Sequence, residues 1–202
     1  ATNISTYPPP LPAEIRTCFD MERLQAIVSH LTLAGNTERM LGGGKVRSGN
    51  ESRRNRFKWF LTLNTRWKDN DIYGHVNNVV YYSLFDTAVN TFLIKHAGLE
   101  PWKKSGGVVG FVVESRCTYY RPVRYPVILE AGVRIAKIGT TSISYEIAIF
   151  TQKKDKCTKP HAAAQDSAVA MGYFVHVYVD QDSGKPTAIP KRILQAVTNH
   201  LL

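Results

Sequence analysis

Residues 79–97 read VVYYSLFDTAVNTFLIKHA, and this stretch decides the fold. Val80, Tyr81, Leu84, Phe85, Ala88, Phe92 and Leu93 recur at spacings of three and four, which is the period of a helix, and apolar residues occupy most of its faces. Gly98 follows as a C-cap, because glycine takes the left-handed conformation there without a Cβ penalty. A helix apolar nearly all round belongs in an interior. Asp86, Asn90 and Lys95 interrupt the run, so it falls short of the roughly 18 consecutive apolar residues of a membrane-spanning helix.

Working outward, Phe57, Trp59, Leu61 and Leu63 alternate with polar residues before the helix, a period of two that predicts a strand. Four more strands are predicted after it: 108–120, rich in β-branched residues; 128–138, broken at Gly139; 142–150, with Ile143, Tyr145, Ile147 and Ile149 on one face; and 162–179. Asp182-Ser183-Gly184 turns the chain, and Pro190 opens a short C-terminal helix with Ile193, Leu194, Val197 and Leu201 as its apolar stripe. One strand, one long buried helix and four consecutive strands specify an α+β domain, a curved antiparallel sheet wrapped around one central helix. No βαβ alternation occurs, and neither GxGxxG nor GxxxxGK[ST] is present, which disfavours dinucleotide and P-loop folds.

Residues 1–56 have a different texture. Pro8-Pro9-Pro10 and Pro12 give an extended entry, Met21, Leu24, Ile27, Val28 and Leu31 have helical spacing, and Gly42-Gly43-Gly44 begins a polar linker. This stretch is read as an N-terminal arm with one short helix, and residues 57–202 as the main domain. Across the 202 residues, 44% are hydrophobic and 21% charged, which excludes wholesale disorder and leaves ample material for a core. Three cysteines, Cys18, Cys117 and Cys157, lie in no CxxC or His/Cys cluster, so neither a disulfide framework nor a metal site is expected. The cysteines that cannot all pair favour a reducing compartment, and an intracellular setting, cytoplasmic or mitochondrial, is expected. The net charge of +10 suits an anionic partner. Its cations are dispersed, the tightest cluster being Arg53, Arg54, Arg56 and Lys58, and no aromatic-interleaved basic motif appears, so nucleic acid is not the expected ligand.

The densest polar cluster, RWKDNDIYGHVNN at residues 66–78, sits between the first strand and the helix. A calcium loop fails, because Tyr73 stands at its fifth position and Val80 where a bidentate Glu is needed. Two readings stay open: a structural turn whose Asp and Asn side chains satisfy backbone amides and cap the helix, and a catalytic carboxylate beside a helix N-terminus, whose free amides stabilise an oxyanion. No Ser lies in a GxSxG elbow, and no Cys has an evident His partner, so no stronger nucleophile competes.

The string WKDNDIYGHVNNVVYYSLFDTA resembles the hotdog-fold acyl-CoA thioesterases of the 4-hydroxybenzoyl-CoA thioesterase-like group, whose pattern is D-x-D-x-x-G-H-V-N-N-x-x-Y. Asp69, Asp71, Gly74, His75, Val76, Asn77, Asn78 and Tyr81 supply every element. Tyr120-Arg121-Pro122, the Ile138–Ser142 turn and Gly184-Lys185-Pro186 extend the similarity over residues 57–197, with residues 1–56 outside it.

The resemblance implies a hotdog fold and an acyl-CoA thioesterase, or an acyl-carrier-protein thioesterase or a non-catalytic acyl-binding relative. It implies Asp71 as nucleophile or general base, the Asn78 backbone amide as oxyanion donor, and Gly74 as the point of close backbone approach. His75 is a candidate acid or a structural hydrogen-bonding residue, and Asp69 a loop-fixing carboxylate. Asn77, Tyr81, Arg121 and Arg124 are candidate substrate contacts, the arginines for coenzyme A phosphates together with Lys103, Lys104 and Lys137. Asp86 is read as a solvated or ion-paired position. No separate cofactor is expected, since coenzyme A enters as part of the substrate, and a homodimer or homotetramer is expected because an open sheet leaves an exposed edge.

Overall fold

A computed structural model describes residues 52–100, 107–152 and 166–202. The short helix and Gly-rich linker expected in the arm, together with Lys103 and Lys104, lie outside the described residues. Chain contacts separate a unit Ala1–Arg47 from a unit Ser48–Leu202, and every described residue belongs to the second.

The long apolar run forms helix α1, Asn78–Ala97, closed by Gly98 at φ 60°, as its sequence position demands. Five strands, β1 (Trp59–Asn64), β2 (Val108–Tyr119), β3 (Ile128–Ile138), β4 (Ser142–Thr151) and β5 (Ala170–Asp180), form one antiparallel sheet in the order β1-β3-β4-β5-β2. Helix α2, Lys191–Leu201, packs on α1. This is the α+β hotdog architecture. No helix among the described residues is long and apolar enough to cross a membrane.

One face of α1 carries the core. Tyr81, Leu84, Phe85, Ala88, Val89, Phe92, Leu93 and Ala97 are buried against Leu129, Ala131, Val133, Ile147, Phe174 and Tyr178 of the sheet and Ile193 and Val197 of α2. Gly172 on β5 lets Phe85 approach the sheet, since a Cβ there would stand 2.6 Å from its ring. The sequence predicted burial on most sides of α1. Within one chain, Ser83, Asp86, Thr87 and Lys95 face solvent, and so do Val79 and Ile94, because a single open sheet covers one side of a helix.

Two strand boundaries also differ from the periodicity. Phe57 does not continue the alternation of Trp59, Leu61 and Leu63. Those three pack on the main core, while Phe57 turns to the opposite sheet face and packs on Phe150 at 5.7 Å between ring centres. The last strand begins at Ala170, because Asp166 and Ser167 pair instead with Arg54 and Arg53. The second face of the sheet is therefore partly covered, and β4 is buried on both faces over its central eight residues. Glu146 is tolerated there because Arg134 closes on it at 2.6 Å.

Candidate active site

The polar cluster folds as a tight loop between β1 and α1. Trp67–Asp69 makes one 3-10 turn, and Asp69, 2% exposed, is its clamp. Its carboxylate accepts from the Arg66 amide at 2.7 Å and the Arg66 Nε at 3.0 Å, with a third guanidinium contact at 2.9 Å. Its carbonyl accepts from the Asn77 amide at 2.8 Å, so one buried residue ties both ends of the loop together. Asn70 extends the tie outward, its Oδ1 accepting from the Tyr125 amide at 3.1 Å, while the Val76 amide donates to the Val123 carbonyl at 2.8 Å.

Within this frame Asp71 and His75 close a small hairpin through Asp71 N–H and the His75 carbonyl at 2.8 Å. Asp71 Oδ1 accepts from the Tyr73 amide at 2.8 Å and, more loosely, from the His75 amide at 3.4 Å. Its Oδ2 has no hydrogen bond among the described residues. The turn role and an available carboxylate oxygen thus coexist in one side chain. Gly74 completes the hairpin at φ 80°, in the left-handed region, and a Cβ built there meets nothing within 4 Å. The reason for glycine is the backbone conformation, and open space lies beside it. The half-buried His75 ring has no hydrogen bond among the described residues.

The helix start is built by Asn77. Its Oδ1 accepts from the Val79 amide at 3.0 Å and its carbonyl from the Val80 amide at 3.0 Å, which makes it the N-cap. The Asn78 N–H, first of the helix, has no acceptor among the described residues and stands exposed at the positive end of a 20-residue dipole.

Tyr119, at the end of β2, reaches the same place. Its hydroxyl donates to the Asn78 carbonyl at 3.2 Å, and its ring meets Tyr81 edge-on at 5.1 Å. Sequence reasoning missed Tyr119, although it directly precedes the Tyr120-Arg121-Pro122 segment; only the fold joins the end of β2 to the start of α1. Tyr81 is buried, and burial followed by the neighbouring Cys117 pushes its phenol up to about 12. Burial also raises the Cys117 thiol to about 11, which removes it as a thiolate nucleophile at neutral pH.

Among the remaining candidates, Arg121 is half-buried, its Nη2 donates to the Ser167 carbonyl at 2.8 Å, and burial lowers its pKa. Arg124 is exposed, between the two residues whose backbones bind the loop, Val123 and Tyr125. Lys137 is exposed on β3, and Asp86 is exposed on α1, accepting from Asn90 at 3.0 Å. Trp67, Ile72, Tyr73 and Val79 present apolar surface around the loop, at 83%, 93%, 61% and 69% exposure. No three His, Cys, Asp or Glu side chains converge on a metal-sized site among the described residues.

A five-stranded sheet on one long helix, with a carboxylate-bearing turn at the helix N-terminus, defines the class of hotdog thioester hydrolases. The chain belongs to the thioesterase-like superfamily, whose model matches residues 65–197. Among solved structures it is similar to the PA5185 protein of Pseudomonas aeruginosa, at 44% identity and TM-score 0.64 over 74% of this chain and 95% of that one. At 13% identity and TM-score 0.59, over 69% and 95%, it shares the fold of Slr0204, a 1,4-dihydroxy-2-naphthoyl-CoA thioesterase from Synechocystis. A third likeness is to the dynemicin thioesterase, at 14% identity and TM-score 0.60, over 71% and 96%. No curated protein matches the chain.

Proposed function

We propose that the protein hydrolyses an acyl-CoA to the free acid and coenzyme A, with Asp71 as nucleophile or general base and the Asn78 amide as oxyanion donor. One observation carries this reading: a carboxylate oxygen inside the clamped loop and the N–H that opens the helix at its end are both without a hydrogen bond among the described residues. As general base, Asp71 Oδ2 takes a proton from water while the water oxygen adds to the thioester carbon. As nucleophile, Oδ2 adds itself, giving an acyl anhydride that water then cleaves. On either route the carbonyl oxygen gains the negative charge and the Asn78 N–H receives it, in a geometry already paid for by folding. Collapse breaks the C–S bond and releases the thiolate, which takes up a proton; His75 is the nearby side chain free to give one.

Gly74 keeps the loop close to the ligand, and Asn77 positions the Asn78 amide through its cap. Tyr81, buried beneath the helix start, supports that end of the acyl site. Arg124 is the stronger of the two phosphate candidates, because Arg121 is already engaged with the Ser167 carbonyl. A second copy of the chain completes the assembly along β2, a 12-residue edge strand on which Phe111, Val112 and Val113 stay 58%, 44% and 62% exposed.

The test is free-thiol release from a panel of acyl-CoAs by the wild type and by Asp71→Asn, with thermal melts of both. Turnover by the wild type, lost about 100-fold or more in kcat with melting temperature kept, is the expected result. A fully active but destabilised variant removes Asp71 from the mechanism.

A further inference from the structure

The Asn78 N–H can serve as an oxyanion donor only if its direction is fixed, and two peptide units flank its Cα. The preceding unit is held through the Asn77 carbonyl, which accepts from the Val80 N–H at 3.0 Å. The following unit is gripped at both ends. Its N–H, on Val79, donates to Asn77 Oδ1 at 3.0 Å, and its carbonyl, on Asn78, accepts from the Tyr119 hydroxyl at 3.2 Å. Asn77 belongs to the loop itself and moves with it. Tyr119 stands 41 residues further along the chain and belongs to the sheet. Its backbone is tied there: Tyr119 pairs with Ala170 of β5, and the next N–H, on Tyr120, donates to the Val169 carbonyl at 2.8 Å. Its ring lies edge-on against buried Tyr81 at 5.1 Å, which keeps the hydroxyl at the helix start.

The two soft dihedrals of a residue set the angle between its flanking peptide planes, so holding both planes leaves the N–H one direction. Tyr119 supplies the part of that hold that comes from the sheet. Burial, followed by its hydrogen bond with Cys117, raises the Tyr119 pKa, so the phenol keeps its proton and goes on donating at neutral and mildly alkaline pH. Removing the hydroxyl alone leaves the ring contact with Tyr81 and the Asn77 cap in place, so its effect is separable from both. We propose that Tyr119 is a positioning residue: through the Asn78 carbonyl its hydroxyl anchors the first turn of α1 to β2 and so fixes the direction of the Asn78 N–H during thioester hydrolysis. The inference rests on the reading of that N–H as oxyanion donor. A donor that has lost its direction stabilises the charge of the transition state less, so the loss falls on turnover and not on ground-state affinity.

Steady-state kinetics of free-thiol release from acyl-CoA by the wild type, Tyr119→Phe and Asp71→Asn test this, together with NMR relaxation of the backbone amides in the wild type and Tyr119→Phe. In Tyr119→Phe, kcat should fall about tenfold, a smaller loss than the roughly 100-fold or more of deleting an oxyanion donor outright, with KM kept within about twofold. The order parameter of the Asn78 amide should drop from the rigid range of about 0.85 toward about 0.6. A merely structural role would lower the melting temperature and leave the kinetics per folded molecule unchanged. Unchanged kcat, a raised KM with kcat kept, or an unchanged order parameter at Asn78 would each overturn the proposal, the second because it would make Tyr119 a substrate contact. A wild type without turnover, or a fully active Asp71→Asn, defeats the proposed mechanism of hydrolysis instead, and the relaxation data then decide alone whether Tyr119 holds Asn78.

Discussion

His176 offers the sharpest energetic test of this core. It sits on β5, 3% exposed, its ring 5.1 Å from that of Tyr145, and both ring nitrogens lack a hydrogen-bond partner among the described residues. The groups around it are Tyr145, Tyr178 and Phe174, with Gly110 of β2 close enough that a Cβ there would lie 3.4 Å from His176 Nδ1. No carboxylate faces it among these neighbours, so burial alone lowers its pKa from 6.5 to about 4. A lowered histidine pKa means that the folded state prefers the neutral ring. Stability is complete above the unfolded value near 6.5 and is lost as pH falls from there toward 4, after which the loss levels off. A fall from 6.5 to about 4 amounts to about 3 kcal/mol. That is a large part of a domain's total of about 5–15 kcal/mol.

His176→Phe removes the titration while keeping a flat ring against Tyr145. Urea unfolding of wild type and variant at pH 7, 5.5 and 4, at one fixed protein concentration, is the assay. Other titrating groups act in both proteins and cancel in the difference. The variant should gain about 3 kcal/mol on the wild type between pH 7 and pH 4. A difference that stays constant across this range within about 0.5 kcal/mol would refute the burial argument, because it would mean that His176 charges without opposition in the folded state.

Three further outcomes are expected. Gly172→Ala puts a Cβ 2.6 Å from the Phe85 ring and should destabilise by about 1–3 kcal/mol, read as a lowered urea midpoint. Asn77→Ala removes the helix cap, and should cost about 1 kcal/mol of stability and also lower kcat, because the Asn78 amide loses its fixed direction; unchanged kcat would separate the cap from catalysis. The KM for an acyl-CoA should rise with salt, since residues 57–202 carry 18 basic against 11 acidic side chains and exposed charges are screened over about 8 Å at physiological ionic strength; a flat KM would exclude a leading role for them.

The sequence by itself determined everything that depends on neighbours in the chain. The period of α1, its glycine stop at Gly98, the alternation of β3 and β4, and the Asp–Gly–Asn–Asn grammar of the loop are local, because helix and turn geometry is set within a few residues. The resemblance carried by that loop reached the family for the same reason. Tertiary structure alone decided what joins distant segments. β1 and β2 occupy opposite edges of the sheet, so no local pattern reveals that Tyr119 meets Asn78 or that β2, paired with β5, has an outer edge with no strand beside it among the described residues. Phe57 reads as the first inward residue of a strand, yet its face is chosen by Phe150 and by the bonds of residues 52–54 to residues 166–168. His176 reads as one polar position in an alternating strand, and only packing beside Tyr145 and Gly110 makes it a buried ring whose nitrogens have no hydrogen bond among the described residues. Asp71 is split between the two levels: its turn is written in the sequence, whereas the freedom of Oδ2 depends on what the rest of the fold brings near it. Burial and hydrogen-bond satisfaction are properties of contacts between residues far apart in sequence, and those contacts exist only once the chain has folded.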